Sequence, residues 1–160
     1  MRIKLLLIIF LFTPITAFSG ELHGIINGKA YHFDRSQDWN ENNYGLGFEY
    51  DFEHRGDWIP LITGSSFKDS FNQTSIYLGG GIKRRFLFSK DPSGFHADVG
   101  VVGFLMTRKD YNDNKPFPGV LPFVSVGNEF VAINVTFVPE VSPKFSNLLF
   151  FQAMFKLLEF

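Results

Sequence analysis

Between residues 44 and 52 the chain alternates strictly, with Tyr44, Leu46, Phe48, Tyr50 and Phe52 on one face and Gly45, Gly47, Glu49 and Asp51 on the other. A period of two marks a strand with one apolar face, because successive side chains leave opposite sides of the pleat. The pattern recurs over 74–86, where Ile76, Leu78, Ile82 and Phe86 oppose Ser75, Tyr77, Gly79, Gly81, Lys83 and Arg85. It recurs again over 130–138, where Val131, Ile133, Val135 and Phe137 alternate with Ala132, Asn134 and Thr136. β-Branched and aromatic residues dominate these runs, as strands require.

Carried along the whole chain, the pattern predicts eight strands, near 21–33, 44–52, 58–67, 74–86, 95–106, 119–127, 130–138 and 147–158. Long polar connectors at 34–43, 68–73, 107–118 and 139–146 interleave with shorter turns at 53–57, 88–94 and 127–129. Long loops on one rim and short turns on the other are the habit of outer-membrane barrels, whose minimum strand number is eight. A soluble sandwich or lipocalin-like barrel would also alternate, with its apolar face turned inward. Alternation by itself does not say which face is inside.

Three features choose the membrane. Residues 1–19 read as a secretory signal peptide, with Arg2 and Lys4 before an apolar run and a break at Pro14. The chain holds 21 Phe and 5 Tyr, in keeping with lipid-facing bands and aromatic girdles, and it ends on Phe160. The fold class expected is therefore all-β, an eight-stranded antiparallel transmembrane β-barrel over 20–160, located in the bacterial outer membrane. No internal repeat or second domain is apparent.

Charge and composition exclude other classes. Removing Arg2 and Lys4 from the 15 basic residues leaves 13 against 16 acidic ones, with no basic stripe to displace counterions from nucleic-acid phosphates. No segment after the leader has the ~18 to 20 consecutive apolar residues of a membrane-spanning helix. There is no cysteine, hence no disulfide framework, thiolate metal site or cysteine nucleophile. Histidines at metal-ligand spacing and a phosphate-binding loop are both lacking; Gly79, Gly80 and Gly81 fall mid-strand, so no metal and no cofactor is expected.

With both termini on the periplasmic side, the odd-numbered strands run outward and share their far ends at the external rim. His32, at the end of the first strand, then neighbours the run Phe67-Lys68-Asp69-Ser70-Phe71-Asn72, where the third strand turns into the fourth. A hydroxyl, an imidazole and a carboxylate together are the parts of an acyl-transfer site. The plain alternative is a solvated turn beside a surface histidine. His23 and His96 belong to the opposite rim and His54 to a turn there, so they fit less well. Pro122 inside the sixth strand and Pro139 just past the seventh lack the amide proton of a barrel ladder; either Pro122 lies near enough to the rim to matter little, or the pair marks a place where the wall opens, a side door for lipid.

These residues resemble a known family, the outer-membrane lipid A palmitoyltransferases. The resemblance lies in 67–72, in the run from Pro116 through Pro122 to Gly127, in Val135-Thr136-Phe137-Val138-Pro139, and in Asn40-Glu41 with Tyr44-Gly45-Leu46-Gly47-Phe48. It implies an enzyme that moves a palmitoyl or similar chain from a phospholipid donor to lipid A. It also implies a catalytic His, Asp and Ser at the outer rim, matched by Asp69 and Ser70. A glycine limiting acyl length is matched by Gly81, inward with Tyr77, and the prolines flanking the lateral entrance are matched by Pro122 and Pro139.

The departures are at the start. Ungapped, the family histidine falls on Ile26, so His32 or His23 must replace it; His32 is preferred on rim geometry. The family's amphipathic N-terminal helix has no counterpart, from which a less stable barrel is expected, and the prolines of a second lipid opening are missing, with Asn43 at one of those places. Lys68, Arg108 and Lys109 are candidates for lipid A phosphates, or simply loop charges.

The expectation is a monomeric acyltransferase with Ser70 and His32 at the transferring carbonyl and Asp69 orienting or charge-compensating the base, the nucleophile left open. Tyr77, Gly81, Pro122, Pro139, Lys68 and Arg108 are expected to handle substrate. The alternatives are a non-catalytic structural or lipid-binding barrel, and a lipid A deacylase on the same fold.

Overall fold

Eight alternating runs joined by short links leave the chain one way to satisfy its backbone in hydrocarbon, which is to pair every strand on both sides and close. The computed structural model, which describes residues 19–35, 37–53, 56–88, 94–140 and 146–160, does this. The strands are β1 (Gly20–His32), β2 (Asn42–Phe52), β3 (Trp58–Lys68), β4 (Thr74–Leu87), β5 (His96–Thr107), β6 (Phe117–Gly127), β7 (Val131–Val138) and β8 (Leu148–Glu159). They form a closed antiparallel barrel in sequence order, with β8 returning to β1. A short turn, Asn112–Asn114, with all three residues at positive φ, sits in the β5–β6 loop. The expected leader and His54 lie outside the described residues, apart from Ser19.

The faces are the reverse of a soluble barrel. Leu46 is 71% exposed and Leu78 and Leu105 each 58%, whereas Lys83, Asn27 and Ser75 are fully buried at 0%. An apolar exterior over a polar interior is stable only where the surroundings are hydrocarbon.

The interior is layered. At the rim where Gly20 and Phe160 exchange backbone hydrogen bonds, charge fills the lumen. Lys83 Nζ lies 2.8 Å from Glu49, 2.7 Å from Asp51 and 3.7 Å from Asp98, and Arg85 holds Asp98 through two bonds of 2.9 Å. Above this layer Gln152 donates to Asn27 at 2.7 Å and Asn27 to Ser65 at 2.6 Å. Beyond that level the lumen becomes apolar.

Two irregularities shape the far rim. In β1 the register against β2 slips between Asn27 and Lys29, and against β8 between Asn27 and Ala30. Below this bulge His23, Ile25 and Asn27 face inward; above it Ala30 and His32 do, while Tyr31 is exposed. An extra residue inverts the alternation, and without it His32 would face lipid.

The second irregularity is a seam. β6 pairs with β7 only from Phe123↔Thr136 to Gly127↔Ala132, whereas on its other side it pairs with β5 all the way to Phe117. The β6–β7 ladder stops at Pro122, which has no N–H to continue it, and β7 ends one residue before Pro139.

Candidate active site

The β3–β4 turn is built around Asp69. One carboxylate oxygen accepts from the backbone N–H groups of Phe71 and Gln73, each at 3.0 Å, and the other accepts from Ser75 Oγ at 2.8 Å. An aspartate that caps its own turn in this way fixes the path of the next residue. That residue is Ser70. The β1–β2 loop clamps it from the other side: Asn40 N–H donates to the Ser70 carbonyl and Asn40 Nδ2 to the Asp69 carbonyl, both at 2.9 Å.

The clamp brings the two rim elements into contact. His32 Nε2 lies 2.8 Å from Ser70 Oγ. The imidazole is 1% exposed, covered by Trp39, whose ring lies parallel to it at 4° with centroids 5.0 Å apart. Trp39 is itself held by a hydrogen bond of 3.1 Å to the Asp34 carbonyl and by the edge of Phe71. The alternative histidine, His23, sits in the charged layer 3.5 Å from Glu21 and 3.4 Å from Asp51, away from the serine.

Asp69 departs from the expected arrangement. Among the described residues no hydrogen bond joins it to His32; its oxygens are taken by the turn, with Arg108 Nε 4.0 Å away. Its geometry is that of a turn-builder that presents Ser70.

Below the pair lies a cavity of about 330 Å³. Ser70 and Asp69 are at its mouth, and Phe67, Tyr77, Phe104 and Phe150 line its wall. Val102, Phe123, Thr63 and Glu49 also line it, and Val102 and Phe123 pack with Leu61 into a buried cluster. Gly81 is not among the lining residues; it pairs with Val102 across β4–β5, and a Cβ there would meet Val102 Cγ2 at 2.9 Å and the Val101 carbonyl oxygen. The position therefore bears on the cavity through Val102. Tyr77 lines the wall with its hydroxyl 3.4 Å from Gln152 Nε2.

The seam reaches the same cavity, since Pro118, Gly119, Val120 and Leu121 of β6, Val138 at the end of β7 and Pro139 just past it line it too. Pro122 marks where pairing ends but is not part of the lining. Of the candidate phosphate ligands, Arg108 is engaged with Asp110 at 3.1 to 3.2 Å and lies over the Phe71 ring, whereas Lys68 donates to Thr74 Oγ1 at 3.2 Å on the exterior. Glu21, His23 and Asp51 bring potential ligand atoms within 4.8 Å of one another. Lys156 and Lys83 already lie against these carboxylates, at 3.0 and 2.7 Å, so the group is an ion-pair network whose charge is met without a metal.

Sequence reasoning had no role for Trp39 or Glu41, and it marked the cavity's depth only at Gly81, which bears on the cavity through Val102. A lone Trp in an otherwise polar loop was the available signal for the lid, and Gly28 within β1 the signal for the bulge.

An apolar exterior, a closed eight-stranded wall and a serine–imidazole pair over an apolar cavity define a transmembrane β-barrel of the bacterial outer membrane with an interior cavity open at one rim. The particular family follows from comparison: residues 22–154 match the model of the family described as "Antimicrobial peptide resistance and lipid A acylation protein PagP", and the chain belongs to that family. It is 30% identical over 114 residues to a lipid A acyltransferase PagP of Erwinia pyrifoliae, covering 71% of this chain and 60% of the relative. It is 32% identical over 123 residues to that of Methylobacillus flagellatus, covering 76% and 64%. The match thus spans less than two thirds of either relative's length. Among solved structures, the crystal structure of Ail, the attachment invasion locus protein of Yersinia pestis, is similar at 9% identity and a TM-score of 0.48, covering 86% of this chain and 96% of that one.

Proposed function

We propose that this barrel is an acyltransferase that moves a palmitoyl or similar chain from a phospholipid to lipid A in the outer leaflet. The observation that carries the reading is the 2.8 Å approach of His32 Nε2 to Ser70 Oγ at the mouth of an apolar cavity. Family membership and the names of the relatives support it.

The chemistry follows from the pair. His32 Nε2 takes the Ser70 proton as Oγ adds to the ester carbonyl, and the imidazolium returns it to the departing lysophospholipid oxygen, leaving an acyl-serine. A lipid A hydroxyl then attacks the acyl-serine, its proton passing to the same nitrogen, and Ser70 leaves with that proton. The acyl chain occupies the cavity throughout, which excludes bulk water from its length and orients the carbonyl. The pair and the cavity lie within one barrel, so a monomer suffices. Arg108, close to the Ser70 turn, is the cation best placed to meet a lipid phosphate; Lys68, on the exterior, meets headgroups only from the bilayer side.

Mass spectrometry of lipid A from a Gram-negative host lacking its own palmitoyltransferase tests this directly. Expression of this chain is expected to add a species heavier by one acyl chain. A folded barrel that adds none, when donor and acceptor share the leaflet, would sink the reading.

Two further outcomes are expected. Gly81→Met drives Val102 toward the cavity and shortens the transferred chain; unchanged length in the same spectra would remove Gly81 from chain measurement. Pro122→Val restores an N–H where the β6–β7 ladder stops, extends pairing and narrows the seam, and transfer slows several-fold while heat-modifiable gel mobility is kept. Undiminished transfer with a lengthened ladder would mean that lipid enters elsewhere.

A further inference from the structure

A base that takes a proton at Nε2 must carry its own at Nδ1, and that proton needs an acceptor. The His32 Nδ1 atom is buried without a hydrogen-bond partner, and Asp69, its expected partner, has spent both oxygens on its turn. The carboxylate that faces it is Glu41, with Oε1 3.9 Å from Nδ1.

Glu41 is held in that position from several sides. Its carbonyl accepts from Ala30 N–H at 3.0 Å, and its Oε1 accepts from the backbone N–H of His32 at 3.4 Å and from Arg35 at 2.8 Å. Trp39, stacked on the imidazole, fixes the ring plane so that one edge meets Ser70 and the other turns toward Glu41. At 3.9 Å the contact is longer than a hydrogen bond, and it shortens as positive charge develops on the ring during proton transfer.

We propose that Glu41 is the positioning residue for His32, holding it as the Nδ1–H tautomer, while Asp69 serves to build the turn that presents Ser70. The inference rests on the acyl-transfer reading for its kinetic consequence but not for the tautomer itself. When Ser70 Oγ–H gives its proton to Nε2, the imidazolium that results keeps its Nδ1–H against the Glu41 carboxylate, which stabilises the positive charge. No other donor or acceptor is consumed.

The test uses the full chain, folded in detergent micelles and labelled with ¹⁵N-histidine, the His32 signals being assigned by their loss in His32→Asn. In the unsubstituted protein Nδ1 is expected to carry the proton and Nε2 to show the shift of an unprotonated ring nitrogen. In Glu41→Gln the tautomer preference is lost, and kcat for transfer falls about 100-fold or more, while KM for the phospholipid changes little. Glu41→Asp recovers part of both, and Asp69→Asn leaves the His32 tautomer unchanged.

An Nε2–H tautomer in the unsubstituted protein overturns the proposal, as does a Glu41→Gln protein that keeps either its tautomer or its kcat. A tautomer lost in Asp69→Asn but kept in Glu41→Gln gives the role to Asp69. If Glu41→Gln fails to fold, the tautomer of the unsubstituted protein and the behaviour of Asp69→Asn decide. Absence of any acyl transfer by the unsubstituted protein defeats the functional reading alone, and the tautomer still decides the role of Glu41.

Discussion

Ser70→Ala and His32→Ala are each expected to lower acyl transfer by about a thousandfold or more, and the double variant to lose little beyond either single one. Residues that act as a unit are strongly non-additive: once the hydroxyl is gone the imidazole has no proton to take, and the reverse. Each side chain is small and at the rim, so the barrel should still form, which heat-modifiable gel mobility checks. A serine-reactive phosphonate should label the unsubstituted protein at Ser70 and fail on His32→Ala, because the hydroxyl is a weak nucleophile without its base. The competing readings diverge in the same experiment. A structural or lipid-binding barrel predicts a lipid A profile indifferent to both substitutions, and a deacylase predicts a lighter species.

Lys83→Met is expected to be the most damaging single change to the barrel itself. The ammonium is completely buried, between Glu49 and Asp51 at 2.8 and 2.7 Å and with Asp98 at 3.7 Å. A methionine of similar length fills the space but leaves carboxylates facing one another; Asp98 retains Arg85, whereas Glu49 loses the one cation bonded to it among the described residues. Breaking a buried pair by removing one partner costs about 3 to 5 kcal/mol. A urea titration in micelles should therefore show a clearly lower unfolding midpoint. Adding Glu49→Gln and Asp51→Asn to Lys83→Met should recover much of the loss, since the uncompensated charge and not the missing contact carries the cost. An unchanged midpoint for the single variant would mean that the charged layer does not bear on stability.

The strands could be read along the chain because alternation is local: a residue two positions away decides whether a side chain shares its face. Every strand expected from the pattern is present, with ends displaced by two residues or fewer. The nearness of the outer end of β1 to the Asp69-Ser70 turn followed from counting strands, since the ends of β1 and β3 share a rim whatever the side chains do. Even the seam left a trace, in a proline with no N–H to continue the ladder on one side.

The tertiary structure decided what depends on atoms supplied by distant segments. His32 faces Ser70 only because a bulge at Gly28 and Lys29 inverts β1, and the bulge exists where β2 and β8 impose their registers from either side. Asp69, which the motif offered as partner to the histidine, is captured by Phe71, Gln73 and Ser75, and Glu41 faces Nδ1 in its place because the β1–β2 loop folds back over the rim. The cavity meets its lower boundary where Val102, Phe123 and Thr63, from three strands, converge with Glu49. The sequence alone determined a closed alternating wall and the two segments that meet at its rim, since periodicity and chain topology need only neighbours and order. Which face each rim residue presents, and which acid serves the histidine, are matters of register and packing between strands, to which no single segment holds the information.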